Sequence, residues 1–330
     1  MTQELTHQAR MQMINGMIQK LDVGRQYPTM IILDVTNVCN FECPHCPQPA
    51  MAAQANYRAS YLDYDNYTRI IDEIANTQVK FVRFTGDGEP MLHKRFLDMI
   101  AYAKKMTNIP LVLTTNGSFL DAPRVERLLD LGMDVIDVSL DAFSKEKYQI
   151  VRKGGNYHQV MSNLHTLLAM REKKKAKTQV MVNMINQQLV ANEVEDFRRY
   201  WAPLVDFVLV RNLHTATKQV NQIEVGQKMA REQPDRHPCA HLWKRLTIDF
   251  VLNVKFCAHD WYDETVLSKL GEGGIRSIWF SDRLNEIRKA HVDNDYRKVP
   301  VCGDCPDWAA APWDYGFEKI IEKIGVIRLD

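Results

Sequence analysis

The chain has 330 residues, 45% hydrophobic and 25% charged, enough for one large domain with a smaller one beside it. Its 42 basic and 41 acidic residues leave a net charge of +1, so bulk electrostatics makes no case for nucleic acid or an anionic membrane as partner. No stretch approaches the ~20 apolar residues that span a bilayer. The opening MTQELTHQARMQMINGMIQK lacks the apolar core and cleavage site of a secretion signal, so the expectation is a cytoplasmic protein.

Residues 1–28 read as a helical segment and connector. Between 29 and 212, short apolar strands alternate with amphipathic helices. The strands are predicted at Met30–Val35, Lys80–Phe84, Leu111–Thr115, Val135–Leu140, Gln179–Met184 and Phe207–Val210. The helices between them are predicted at Tyr64–Ala75, Lys94–Lys105, Ala122–Leu131, His158–Met170 and Val194–Trp201. Such alternation predicts an α/β fold with a parallel sheet covered by helices. Six units predict a partial (β/α)6 TIM-like barrel, left open, with its reactive face at the C-terminal ends of the strands. The basic run Arg171–Lys177 reads as a solvated helix end and loop. Polar residues 213–236 read as a linker. Residues 237–310 read as a small C-terminal domain holding four of the seven cysteines, and 311–330 as a closing helix.

The odd cysteine total argues against a closed disulfide framework. Cys39, Cys43 and Cys46 form Cys-x-x-x-Cys-x-x-Cys directly after the first strand, which places them in the first βα loop. Soft thiolates suit iron–sulfur clusters, and three of them leave one iron of a cube without a protein ligand. A structural zinc loop, the other reading, ordinarily draws four ligands. Asn37 and Asn40 stand ready to hydrogen-bond around the loop, and Pro44 and Pro47 stiffen it.

Three further loops follow successive strands. In Gly86-Asp87-Gly88-Glu89-Pro90 the glycines admit close backbone approach and Pro90 can open the next helix. Thr114-Thr115-Asn116-Gly117 follows the third strand. Val138-Ser139-Leu140-Asp141 follows the fourth, and Ser139 and Asp141 offer hydrogen bonds to a hydroxyl-rich ligand. Any one of these could be an ordinary βα turn; four in order converge on one mouth.

These motifs resemble those of the radical S-adenosylmethionine (radical SAM) superfamily, over roughly residues 30–212. The resemblance implies that Cys39, Cys43 and Cys46 hold a 4Fe–4S cluster whose open iron chelates SAM, which is then cleaved to methionine and a 5′-deoxyadenosyl radical. It further implies that Gly86, Asp87, Gly88 and Glu89 receive the SAM ammonium group. Asn116, Ser139 and Asp141 fall to the rest of the cofactor, and Arg152 supplies a cation near its carboxylate. His45 occupies a position that is usually aromatic in the family. An electron donor such as flavodoxin or ferredoxin is also implied.

Cys239, Cys257, Cys302 and Cys305 form the second group. LWKRLTIDFVLNVKF, between the first two, reads as two short strands and a turn, with a Cys-x-x-Cys knuckle returning later. Four such thiolates can enclose zinc or a 4Fe–4S cluster. The segment resembles the auxiliary domain of the SPASM and twitch branches, and the lack of cysteines after Cys305 matches the shorter twitch form with one fully ligated auxiliary 4Fe–4S cluster. That hairpin normally has glycine five positions before its second cysteine; here the residue is Leu252.

Three ligands and four account for all seven cysteines, so no thiol remains to quench a substrate radical. An unquenched radical can lose a proton and an electron, and a nearby cluster is a natural electron acceptor. The expectation is two-electron dehydrogenation of a small polar, sugar- or cyclitol-like molecule. A peptide or protein maturase is the alternative; the leader-binding domain of ~80 residues common in such enzymes exceeds the 28-residue N-terminal segment. A zinc-stabilised binding protein is a third reading. Asn183, Arg211 and His214 are candidate substrate contacts, and Arg211 is the expected catalytic residue among them. Asp260, with His259, is the candidate for proton removal.

Overall fold

The computed structural model describes residues 7–23, 27–213, 236–271, 273–310 and 317–329. Six strands lie in the predicted places: β1 (Met30–Leu33), β2 (Phe81–Phe84), β3 (Leu111–Thr115), β4 (Val135–Ser139), β5 (Gln179–Asn186) and β6 (Phe207–Asn212). Each pairs in parallel with the next. Every residue of β1 to β4 is buried, as expected for a parallel sheet covered on both faces. The sheet stays open, as the sequence predicts.

Helix α1 (His7–Val23) precedes the barrel, and α2 (Tyr64–Ile74), α3 (Phe96–Met106), α4 (Ala122–Asp130), α5 (Tyr157–Lys174) and α6 (Val194–Trp201) wrap it. Helix α2 starts where Asp63 accepts hydrogen bonds from the backbone of Asp65 and Asn66, and it buries Tyr67, Ile70, Ile71 and Ile74 at helical spacing. Helix α5 runs a full turn beyond its predicted end. Arg171, Lys173 and Lys174 fill that last turn, where cations suit the helix dipole, and left-handed Lys175 (φ 52°) stops it.

The side chains of β1 divide by the two-residue period of a strand. Ile31 and Leu33 face the main core between sheet and helices. Met30 and Ile32 face a smaller core inside the barrel with Phe81, Val112, Val135 and Met181. The closing helix α8 (Phe317–Lys323) inserts Ile320 and Ile321 into that inner core, sealing the end of the barrel opposite the loops. Between α6 and α8 lies α7 (Asp282–Val292).

The hairpin of the second cysteine group continues the barrel sheet. Strand β7 (Arg245–Ile248) pairs in parallel with β1, Met30 opposite Arg245 and Leu33 opposite Ile248. Strands β8 (Asn253–Lys255) and β9 (Val266–Lys269) add in antiparallel fashion, giving the order β6-β5-β4-β3-β2-β1-β7-β8-β9. The small C-terminal domain is therefore joined to the barrel through these three strands, and β9 is a strand the sequence reading lacks. The turn keeps the shape a glycine would give it, because Leu252 itself adopts φ 68°. Asp249 Oδ1 accepts from the Val251 and Asn253 amides and holds the turn closed. Most of the predicted linker, 214–235 and with it His214, lies outside the described residues.

Candidate active site

The cysteine loop leaves β1 and is tied down on every side. Asn37 Nδ2 donates to Arg58 O, its Oδ1 accepts from Ser60 N, and its carbonyl accepts from Gln48 Nε2. Asn40 bridges to the third loop through Ser118 Oγ (3.0 Å) and Asn116 Nδ2 (2.9 Å). Both asparagines thus fasten the loop. Cys39, Cys43 and Cys46 all line one cleft at the strand ends, about 1310 Å³ of empty space counting its open mouth. Burial pushes the Cys39 thiol up to about 11 and that of Cys46 to about 12, and a Cys43 thiolate would raise both. Cys43 is raised too, by burial, with Arg152 opposing. Three converging soft donors suit an iron–sulfur cube, and a metal binding there must displace their protons.

The second loop is pressed against the first. A Cβ on Gly88 would stand 2.4 Å from Val38 O, and one on Gly86, at φ 135°, would collide with the Asp34 carboxylate. The Glu89 amide donates to Val38 O at 2.9 Å. Its carboxylate accepts from Thr115 Oγ1, the Asn116 amide and the Met91 amide, locking the second loop to the third. Asn116 lines the cleft, but its side-chain oxygen accepts from Ser118. Asp87 lines the cleft with its back to a buried acidic group: Asp34, Asp249 and, between them, Lys255.

Asp141 sits at φ 58°, a left-handed conformation aspartate tolerates. One carboxylate oxygen accepts from the Ile185 amide; the other faces Arg152 Nη1 at 3.1 Å and His45 Nε2 at 3.4 Å. Burial alone would raise this carboxyl, but the His45 hydrogen bond and the Arg152 charge outweigh it and hold the carboxyl well below the usual range. Asp141 thereby orients two cleft residues, and among the described residues the buried Nε of Arg152 has no hydrogen-bond partner. Ser139 accepts from Asn183 Nδ2, which also donates to Asp137; Asn183 stands behind the lining and does not form it.

Arg211, on the last turnout of β6, lines the cleft as expected. Asp260 does not. Its carboxylate turns inward to accept from Thr265 N, Thr265 Oγ1 and Tyr262 N, closing the loop that follows Cys257, so the structure sets it apart from the cleft. Its neighbour His259 lines the cleft instead, with Asp307 Oδ2 3.7 Å from its Nδ1. Sequence reasoning passed over Arg83 and Arg245, which also line the cleft. An arginine inside the buried strand FVRF was the available signal, since nothing polar enters such a strand without a partner.

Cys239, Cys257, Cys302 and Cys305 together line a second, more closed cavity. Burial raises all four thiols, Cys305 to about 12. Arg236 braces the knuckle by donating to the carbonyls of Cys302 and Gly303 while lying 3.7 Å over the Tyr296 ring. All seven cysteines are free of disulfides, and a four-sulfur donor set suits a fully ligated cluster. His259 lines both cavities.

An open parallel barrel with three thiols at its mouth and four more lining an adjoining cavity has the donor sets of an iron–sulfur protein. Comparison places it: residues 33–191 match the radical SAM superfamily model, and residues 239–306 match the iron–sulfur cluster-binding domain called SPASM. The chain belongs to the radical SAM superfamily, whose barrel binds a 4Fe–4S cluster and SAM, and carries an auxiliary iron–sulfur domain. Among curated proteins it is similar to the GTP 3′,8-cyclases of Limosilactobacillus fermentum, 32% identical over 51% of this chain and 49% of that one. The Chlorobaculum tepidum enzyme of that name is 30% identical over 50% of this chain and 49% of its own. The chain thus matches about half the length of these relatives. Among solved structures it is similar to BtrN in complex with AdoMet and 2-DOIA (TM-score 0.58, 18% identity, 85% of this chain and 93% of that one). It is also similar to Streptococcus suis SuiB bound to precursor peptide SuiA (TM-score 0.66, 14% identity, 94% and 77%). At these identities the likeness is one of fold.

Proposed function

We propose that this chain is a radical SAM oxidoreductase that dehydrogenates a small polar substrate of sugar or cyclitol type. The observation that carries the reading is the placement of the thiols: Cys39, Cys43 and Cys46 are the only cysteines lining the cleft, and the other four line the adjoining cavity. No cysteine stands ready to return a hydrogen atom to a substrate radical. Cys39, Cys43 and Cys46 would hold a cluster able to supply the electron for SAM cleavage, and Cys239, Cys257, Cys302 and Cys305 would hold one able to accept the electron that leaves the substrate, with flavodoxin or ferredoxin as the outside donor. Oxidation of a secondary alcohol to a ketone then balances as one hydrogen atom lost from carbon, one proton from oxygen and one electron.

The chain's own residues do the rest. Asp141 holds Arg152 and His45 beside the cysteine loop. Burial lowers the pKa of His259, so the imidazole is neutral at physiological pH and can take the hydroxyl proton, with Asp307 behind it to stabilise the cation. The test is anaerobic reconstitution followed by product analysis with candidate polyols. The expected result is about eight irons per chain with equal sulfide, 5′-deoxyadenosine and a keto product, all 5′-deoxyadenosine being lost in Cys39→Ala. Zinc in place of iron would overturn the reading. A mass change on a peptide, with no ketone from any polyol, would replace the small-molecule assignment with a peptide maturase.

A further inference from the structure

The cleft gathers four arginines and three acids beside the cysteine triplet. Arg83, Arg152, Arg211 and Arg245 line it, as do Asp87, Glu89 and Asp141. Asp141 is matched by Arg152 and His45, Glu89 accepts three local hydrogen bonds, and Asp87 faces Lys255. Arg83 is matched from behind: it donates to Thr114 Oγ1 at 3.0 Å, pairs with Asp137 at 3.2 Å and rests 3.7 Å over the Phe317 ring. Arg211 and Arg245 are held more loosely: Arg211 acts on Asp141 only at a distance, and Arg245 feels the Cys257 and Cys239 thiols and Glu318 without an ion pair to any of them. Arg211 makes no hydrogen bond or ion pair among the described residues, and its Nε is buried without a partner. Among the described residues Arg245 makes one side-chain hydrogen bond, Nη2 to His241 Nδ1 at 2.6 Å, and its buried Nε has no hydrogen-bond partner there.

A guanidinium cannot shed its charge to escape burial, so two buried guanidinium nitrogens without an acceptor, in a cleft that a ligand will close, call for an oxyanion to receive them. Their forked donors suit the oxygens of phosphate or carboxylate, each of which can accept two parallel hydrogen bonds. Both arginines also act on His259, which lines both cavities. Arg245 begins β7, the strand between the barrel and the second cavity, and Arg211 ends β6. Arg152 stands beside the cysteine triplet, where its own buried Nε, without a partner among the described residues, would suit the carboxylate of SAM.

We propose that the substrate carries an oxyanion, a phosphate ester or a carboxylate, gripped by Arg211 and Arg245, which hold the reacting carbon between the cysteine triplet and His259. This rests on the radical SAM reading of the site and adds the charge of its substrate. The test is calorimetric titration of the reconstituted holoenzyme, saturated with SAM, with glucose 6-phosphate, glucuronate and glucose. One of the two anionic probes should bind at least about tenfold more tightly than glucose, and which one it is assigns phosphate or carboxylate. That advantage should weaken as salt is raised and should fall about tenfold or more in Arg211→Gln and in Arg245→Gln. Arg211→Lys, which keeps the charge but loses the fork, should fall in between; unfolding curves and iron content establish that the variants are intact.

The proposal is overturned if neither anion binds better than glucose, or if both glutamine variants bind the anions as the wild type does. It is also overturned if the anions bind only when SAM is left out, because the arginines then serve the cofactor's carboxylate. Wild-type 5′-deoxyadenosine yield, measured in parallel, tests the underlying reading separately: a protein that cleaves SAM but ignores the anions disproves the clamp alone.

Discussion

Leu252 holds a backbone conformation that costs an L-residue roughly 1–2 kcal/mol. The turn keeps it because Asp249 collects two amides and Leu270 N donates to Leu252 O at 2.8 Å. A β-branched side chain suits φ > 0 least, so Leu252→Val is expected to destabilise the protein by more than about 1 kcal/mol. Leu252→Gly should stay within about 1 kcal/mol of the wild type, since relief of strain offsets lost packing and chain entropy. Denaturant unfolding of the two variants side by side checks the order. Gly88 poses the opposite problem, with backbone oxygens of Thr36 and Val38 where a side chain would go. Gly88→Ala must push the second loop off the cysteine loop, a steric penalty of about 1–3 kcal/mol. The expected outcome is a lower iron content after reconstitution, read by metal analysis.

At the scale of elements, the junction of β1, the second loop and the β7–β8 hairpin is electrostatically tense. Asp87 is raised to about 7 by burial, against the pull of Lys255, and Asp34 is raised by burial and by Asp87. A carboxyl whose folded pKa exceeds its unfolded value, about 3.9, favours the folded state when protonated. Its contribution is complete below that unfolded value and is lost as pH climbs through about 7. The metal-free protein should therefore lose stability from about pH 4 to pH 7, and Asp87→Asn should flatten that slope; melting temperatures across the range decide it. Helix α8 provides a second test. Ile321 is fully buried in the inner core beneath Phe81, so Ile321→Ala is expected to cost about 2–5 kcal/mol in unfolding free energy. Because Arg83 rests on Phe317 of the same helix, the floor of the cleft should loosen with it.

Across the whole molecule, one sheet joins the two cysteine sites, with β7 hydrogen-bonded along β1. Barrel and auxiliary segment should therefore unfold together. Replacing Cys302 and Cys305 by alanine is expected to halve the iron to about four per chain, to abolish substrate oxidation, and to lower the single melting transition instead of splitting it in two. Two separate transitions in calorimetry would contradict that coupling.

The sequence by itself determined the barrel, its six strands and the two cysteine groups. Strand periodicity and ligand spacing are local properties, and a chain that must bury strands and bind clusters writes both into adjacent residues. It also carried Arg211 to the cleft, by its position at a strand end. The tertiary structure alone decided that β7 lies along β1, that α8 plugs the barrel, and that Asp260 turns inward while His259 reaches both cavities. It alone brought Arg83 and Arg245 into the same cleft as Arg211. Those facts depend on contacts between residues far apart in the chain, and on which of two adjacent side chains points inward. No local pattern of residue types encodes either.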